Sequence, residues 1–316
     1  MNSALLGPGI LGLFALAALL GCAAETEGGP ATPKLSTMTL VMEKKVIDIL
    51  PKVAKEYEGS GVQLHGGFLY VVFDNMKLLA RINTSLTGGG ILGSLTDPSE
   101  YEGITADTNG TEHLYVMKEM DKSSGNKGKV IQFDTAGNEQ GSELTDVVFG
   151  GSKGFEGIAW LRANNDDYLL GLCEGNDCTD EAQNTGRGKL HVLRQKNGEW
   201  VSESILSIPS LANFIDYSDI ALYNHQNGSY GVAIVSQQSS QLWMGTLNTS
   251  PWGFGDEGSV VDFPKGPNGE LQYCSVEGIT FEAFSPSPRL FVVSDSSGGP
   301  GLCPQKDAMV HLFELK

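Results

Sequence analysis

Five acidic residues open apolar runs and are each followed, 16 to 18 positions later, by a polar residue that closes another run. The pairs are Glu58 and Asp74, Glu102 and Glu119, Glu156 and Glu174, Asp219 and Gln237, Glu277 and Asp295. The first members stand in YEGS, YEGI, FEGI, YSDI and VEGI, spaced by 44, 54, 63 and 58 residues. The second follow LYVVF, LYVMK, LLGLC, VAIVS and LFVVS. A nearly fixed offset inside a loose repeat is the mark of an internally repeated architecture. Repeats arranged in a ring would bring Glu58, Glu102, Glu156, Asp219 and Glu277 to one axis. Carboxylates so close raise one another's pKa, and a hard cation relieves the repulsion. Oxygen donors without Cys or His point to calcium, with magnesium second. Asp74, Glu119, Glu174, Gln237 and Asp295 would form an outer shell or a substrate-facing rim. A second reading stays open. E-G is a common turn opening, found out of register at Glu27, Glu174 and Glu257, and the repeated acids can equally cap backbone N–H groups.

Other chemistries find less support. The chain has no P-loop, HExxH or EF-hand loop, which weighs against NTPases. His191 and His311 occupy matching places in KLHVL and MVHLF, aligned with Ile131 and Trp243, as packing positions would. His65 follows Glu58 closely enough to be a channel candidate. The acidic loop CEGNDCTDE reads as a constrained, solvated loop.

A net charge of −17 opposes a nucleic-acid partner, since phosphate binding needs clustered Lys and Arg. It favours cations or basic partners. Residues 1–24 carry no charged side chain and hold an apolar stretch from Ile10 to Leu20, which reads as a secretory signal. Leu19-Leu20-Gly21-Cys22 matches a bacterial lipobox with Cys22 as the lipidated residue, and Cys22-Ala23-Ala24 would also serve an ordinary signal peptidase. Sequons at Asn83, Asn109, Asn227 and Asn248 leave a eukaryotic secretory origin open. The expectation is an exported protein: a periplasmic or outer-surface lipoprotein, or a secreted one. Any membrane attachment would run through lipidated Cys22. The remaining Cys173, Cys178, Cys274 and Cys303 are even in number, as in an oxidising compartment. The preferred pairing is Cys173–Cys178 and Cys274–Cys303, out of three connectivities.

The elements that must position these residues are short. Residues 25–37 read as a flexible tether and 38–316 as one domain. Each repeat holds apolar runs of about four to eight residues bracketed by Gly, Asn, Asp and Ser, such as GITADT, HLYVMKE and KVIQFDT. These spacings fit the blades of an all-β propeller. The last repeat stops after three runs, and a spare apolar segment, TLVMEKKVIDIL, precedes the first. Five blades follow, with that N-terminal segment closing the last one. A sixth would have to lie between Gly188 and Phe214.

YEGITADTNGTEHLYVMKE, IDYSDIALY with AIVSQQSSQLWMG, and VEGITFEAFSPSPRLFVVSDSS resemble the repeats of SdiA-regulated and phytase-like-esterase propeller proteins. The resemblance implies a propeller and a bound calcium. More distantly, five blades with acids around a cation are similar to calcium-activated nucleotidases. The fourth repeat departs from the pattern with Ser218-Asp219-Ile220 and with Gln237. Two functions remain: a metal-dependent hydrolase of phosphoesters or esters, or a non-catalytic propeller with a structural cation. The partner would be a small molecule, a glycan or an envelope component.

Overall fold

Runs of β-branched and aromatic residues bounded by turn formers favour extended backbone. In the computed structural model they form 21 strands among the described residues. The structure describes residues 34–95, 100–108, 110, 112–150, 153–175, 178, 188–225, 228–284, 287–296, 303 and 306–316. The leader, Cys22, most of the tether, the sequon residues Asn109 and Asn227, and most of the loop after Cys173 lie outside them.

Strand β1 (Met38–Lys45) precedes the first of five antiparallel meanders. That meander runs β2 (Gly59–His65), β3 (Phe68–Phe73), β4 (Met76–Asn83) and β5 (Gly89–Ser94). The second comprises β6 (Tyr101–Ala106), β7 (His113–Asp121), β8 (Lys127–Asp134) and β9 (Glu139–Val148). The third comprises β10 (Phe155–Ala163), β11 (Asp166–Cys173), β12 (Lys189–Lys196) and β13 (Glu199–Ser207). In the fourth, β14 (Asp219–Asn224), β15 (Ser229–Ser236) and β16 (Gln241–Thr249) end in two short strands that both pair with β16, β17 (Trp252–Phe254) and β18 (Ser259–Asp262). The fifth has β19 (Val276–Ala283), β20 (Arg289–Ser294) and β21 (Met309–Leu315), with β1 as its outer strand.

Burial explains why the second strands read as unbroken apolar runs. β3, from Leu69 to Phe73, is buried on both faces, because each meander is covered by its two neighbours. Five apolar clusters fill the seams between consecutive meanders. Val72 and Ile104 share one cluster, Met117 and Leu169 another, Leu170 and Val232 a third, and Val235 and Val292 a fourth. The fifth seam, with Val71 and Phe291, joins the last meander to the first. The result is a closed β-propeller with its first strands around the centre.

The closure matches the expectation. β1 pairs antiparallel with β21, from Met38↔Leu315 to Lys45↔Met309, and so covers an edge that would otherwise be free. Lys306 Nζ donates to both Glu43 oxygens at 2.6 and 2.7 Å. His311 Nδ1 lies 3.2 Å from Glu43 Oε2, and its Nε2 lies 3.0 Å from Ser294 Oγ. Hydrogen bonding to His311, helped by Lys306, holds Glu43 down at about 2, whereas burial lowers the pKa of His311. Two details differ from the sequence reading. Val46–Asp48 is a single 3-10 turn instead of strand. The amides of Ser36 and Thr37 donate to the Lys316 carbonyl and Leu35 is buried, so the end of the expected tether belongs to the propeller. The stretch from Gly188 to Phe214 supplies β12 and β13 of the third meander and holds no further repeat. His191 and His311 are buried third-strand residues. Both disulfides, Cys173–Cys178 and Cys274–Cys303, form as preferred.

Candidate functional site

The first strands of the second, third and fifth meanders begin with a β-bulge. Register slips between Tyr101 and Gly103, between Phe155 and Gly157, and between Val276 and Gly278. Glu102, Glu156 and Glu277 are the extra residues, and a bulge re-aims such a side chain. The glycine that follows lets neighbouring first strands meet backbone to backbone. A Cβ on Gly103 would come within 2.8 Å of Ile158 N, and one on Gly278 within 2.8 Å of Gly61 Cα. One carboxylate oxygen from each of Glu102, Glu156 and Glu277 consequently converges on the others, the three lying within 4.8 Å of one another. Among the described residues, none of the three accepts a hydrogen bond, so they are not N–H caps.

Glu58 and Asp219 do not join this trio. In the first meander the slip falls between Gly59 and Gly61, which makes Ser60 the counterpart of Glu102. Ser60 Oγ donates to the Tyr101 carbonyl, and Glu58 stands two residues upstream. The E-G dipeptide at Glu58 resembles the others, yet the equivalent dipeptide is Ser60-Gly61. In the fourth meander Asp219 pairs directly with Val235, the place held elsewhere by the bulge glycine. Its side chain lies where a Cβ on Gly157 would meet it at 2.6 Å, and its Oδ2 accepts the Ile279 N–H at 2.8 Å. Asp219 is therefore a buried cap between the fourth and fifth meanders. The capping reading applies to Asp219, whereas Glu102, Glu156 and Glu277 converge without capping an amide.

The second set surrounds the trio. Asp74, Glu174, Gln237 and Asp295 directly follow β3, β11, β15 and β20, and Glu119 lies near the end of β7. Burial, then Glu277, Asp74, Glu119 and Asp295, raise the Glu102 pKa well above the usual carboxylate range. Burial and Glu102, followed by Glu174 and Glu119, do the same to Glu156. Burial, Glu156, Asp295 and Asp216 raise Glu277. Glu156 and Glu277 keep some exposure, whereas Glu102 is buried. Around them, burial lifts Glu119 to about 7 against the opposing pull of Lys153 and the Gly154 amide. Burial also lifts Asp295 to about 7, aided by Glu58 and Asp74. Glu174 is ion-paired with Lys153. Gln237 is the neutral member, and its backbone N–H donates to Ser218 Oγ at 3.2 Å.

Sequence reasoning missed Asp216, which accepts from Ser236 Oγ and the Gln238 amide and which burial raises to about 6. Its only signal was a second acid in IDYSDI. His65 ends β2 beside a Gly66-Gly67 turn, at the far end of the strand from Ser60, and does not reach the basin.

No protein-family model matches the chain, and neither does any curated protein sequence. Among solved structures, Myxococcus xanthus glutaminyl cyclase is 12% identical with a TM-score of 0.51, covering 90% of this chain and 98% of that one. A GH43_1 enzyme from Xanthomonas citri is 12% identical at TM-score 0.50, with 88% and 90% covered. A GH43 protein from Bacillus licheniformis is 10% identical at 0.51, with 87% and 54% covered. At such identities the likeness concerns architecture. The chain shares the β-propeller fold of these enzymes.

Proposed function

We propose that this is an exported propeller whose acidic basin holds a divalent cation, calcium before magnesium, and hydrolyses phosphoesters or esters with its help. The observation that carries the reading is the convergence of Glu102, Glu156 and Glu277 within 4.8 Å without a hydrogen-bond donor among them. Calcium takes oxygen ligands at about 2.3–2.6 Å, so oxygens on opposite sides of one ion stand about 5 Å apart. The donor set is carboxylate alone, which suits a hard cation. Its bulge positions place the donors on rigid strands.

A bound divalent cation would supply polarisation of a phosphoryl or ester oxygen. The chain's own residues supply proton handling. Glu119 and Asp295, each near 7, are partly protonated at neutral pH and suit a general acid or base. Lys153 lies against Glu174 at the rim and offers the basin a positive charge toward an anionic substrate. Two disulfides fit an oxidising compartment, which supports export. The test is turnover of a panel of phosphomonoesters, phosphodiesters, nucleotides and lactones with calcium and with EDTA. Calcium-dependent turnover lost in Glu156→Gln supports the reading. Calcium binding without any turnover would leave a non-catalytic binding propeller with a structural cation.

A further inference from the structure

A cleft of about 410 Å³ opens at the seam between the second and third meanders, away from the acidic basin. Its origin is topological. The outer strands β9 and β13 meet in parallel at the ladder pair Thr145↔Trp200. Tyr115 pairs with Thr105, toward the opposite end of β6 from Glu102. The volume falls in the range of small-molecule sites, about 300–1,000 Å³.

The lining has a distinct chemistry. Trp200 is buried and meets Tyr115 edge to face at 82°, with ring centroids 6.1 Å apart, so the two form a corner with apolar faces. Gln132 and Gln195 add side-chain amides, and Glu143 and Asp167 add carboxylates. Gln195 Nε2 donates to both Glu143 oxygens, at 2.9 and 3.2 Å, which fixes the orientation of both groups before any ligand arrives. No Lys or Arg lines the cleft, so an anionic ligand is disfavoured. Burial and the nearby Asp107, Asp167 and Glu143 keep the Tyr115 phenol protonated and able to donate.

We infer that this cleft binds a neutral saccharide, a mono- or disaccharide in size. A sugar ring presents a C–H face that packs on an aromatic ring, and its rim of hydroxyls both donates and accepts. Amides and carboxylates held in fixed orientation match that rim, since each hydroxyl can donate to a carboxylate while accepting from an amide. An organic cation would favour aromatic faces on several sides, and this corner has two rings set edge to face.

The experiment is calorimetric titration of the full-length protein in EDTA with glucose, galactose, cellobiose, maltose, lactose and xylobiose, and with tetramethylammonium chloride. At least one saccharide is expected to saturate with a Kd of about 1 mM or tighter. Gln132→Ala and Gln195→Ala should each weaken it about tenfold, the loss of one hydrogen bond. Gln195 is exposed, so its variant keeps the wild-type melting temperature and tests the site without risk to the fold. Calcium should leave the affinity unchanged, which separates this cleft from the basin. The inference is overturned if no saccharide saturates, if both variants bind as well as wild type, or if tetramethylammonium takes the cleft in place of the sugars.

Discussion

Replacing one trio carboxylate by its amide should move the metal-free and the calcium-loaded protein in opposite directions. Glu102→Gln keeps shape and removes a charge from a group whose oxygens lie within 4.8 Å of two others. At an effective dielectric of about 20, each fully ionised pair at that distance repels by about 3.5 kcal/mol. Two such pairs vanish with Glu102, which sets a scale of about 7 kcal/mol for full ionisation. The metal-free protein never bears that full amount. The raised pKa values of Glu102, Glu156 and Glu277 mean that it takes up protons to escape. A gain of about 1–3 kcal/mol remains for the metal-free variant, or a rise of a few degrees at about 2–4 °C per kcal/mol. Calcium loses one of three anionic ligands, for which a drop of about 100-fold or more is expected, equivalent to about 2.7 kcal/mol. Melting curves in EDTA and calorimetric calcium titration at neutral pH read the two effects. Asp219→Asn is the control. Its amide oxygen can still accept the Ile279 N–H, so calcium affinity should stay as in wild type. Unchanged calcium affinity in Glu102→Gln, or no calcium binding by the wild-type protein, would refute the reasoning.

The remaining expectations follow from the same geometry. Calcium at about 100 times its dissociation constant should stabilise by about 2.7 kcal/mol, so an unchanged melting curve after exhaustive EDTA treatment would count against the basin as a cation site. Without metal, Glu119 and Asp295 hold protons up to about pH 7 that an unfolded chain releases near pH 4. Folded protein then binds more protons than unfolded protein across that window, so metal-free stability should fall as pH rises from 4.5 to 7 and calcium should flatten the profile, as melts across pH will show. Glu43 works with the opposite sign: its pKa of about 2 contributes stability above pH 4.5 that is lost as pH falls toward 2. Glu43→Gln should cost about 1–2 kcal/mol near pH 7 after allowance for solvent screening, and almost nothing near pH 2, by denaturant titration. Deleting Met38–Lys45 should leave little soluble protein, since the edge of β21 and the apolar seam beside it would open; normal expression and stability of the truncated chain would contradict the closure.

Local sequence carried the strands, their order and the closing segment. Runs such as LYVVF and LFVVS can only be satisfied by burial on both faces, and TLVMEKK had no partner before the last repeat ran out of strands. The two disulfides were legible because five and 29 residues of separation suit bridging within one loop and within one repeat. Function-bearing register was not legible at every repeat. Glu58-Gly59 and Ser60-Gly61 overlap, and nothing local says which glycine must face the neighbouring backbone; the strand pairing chose Gly61, which put Ser60 at the bulge. Asp219 has the right charge and offset, but a directly paired strand set it at the glycine place and turned it into a cap for Ile279. The cleft at Trp200 had no sequence signal, because it lies where β9 and β13, strands of different meanders, meet. Apolar period and turn chemistry act over a few residues, so the chain displays them directly. Which carboxylates converge, and which only cap an amide, depends on how first strands distant in sequence meet at the axis, and only the closed ring decides that.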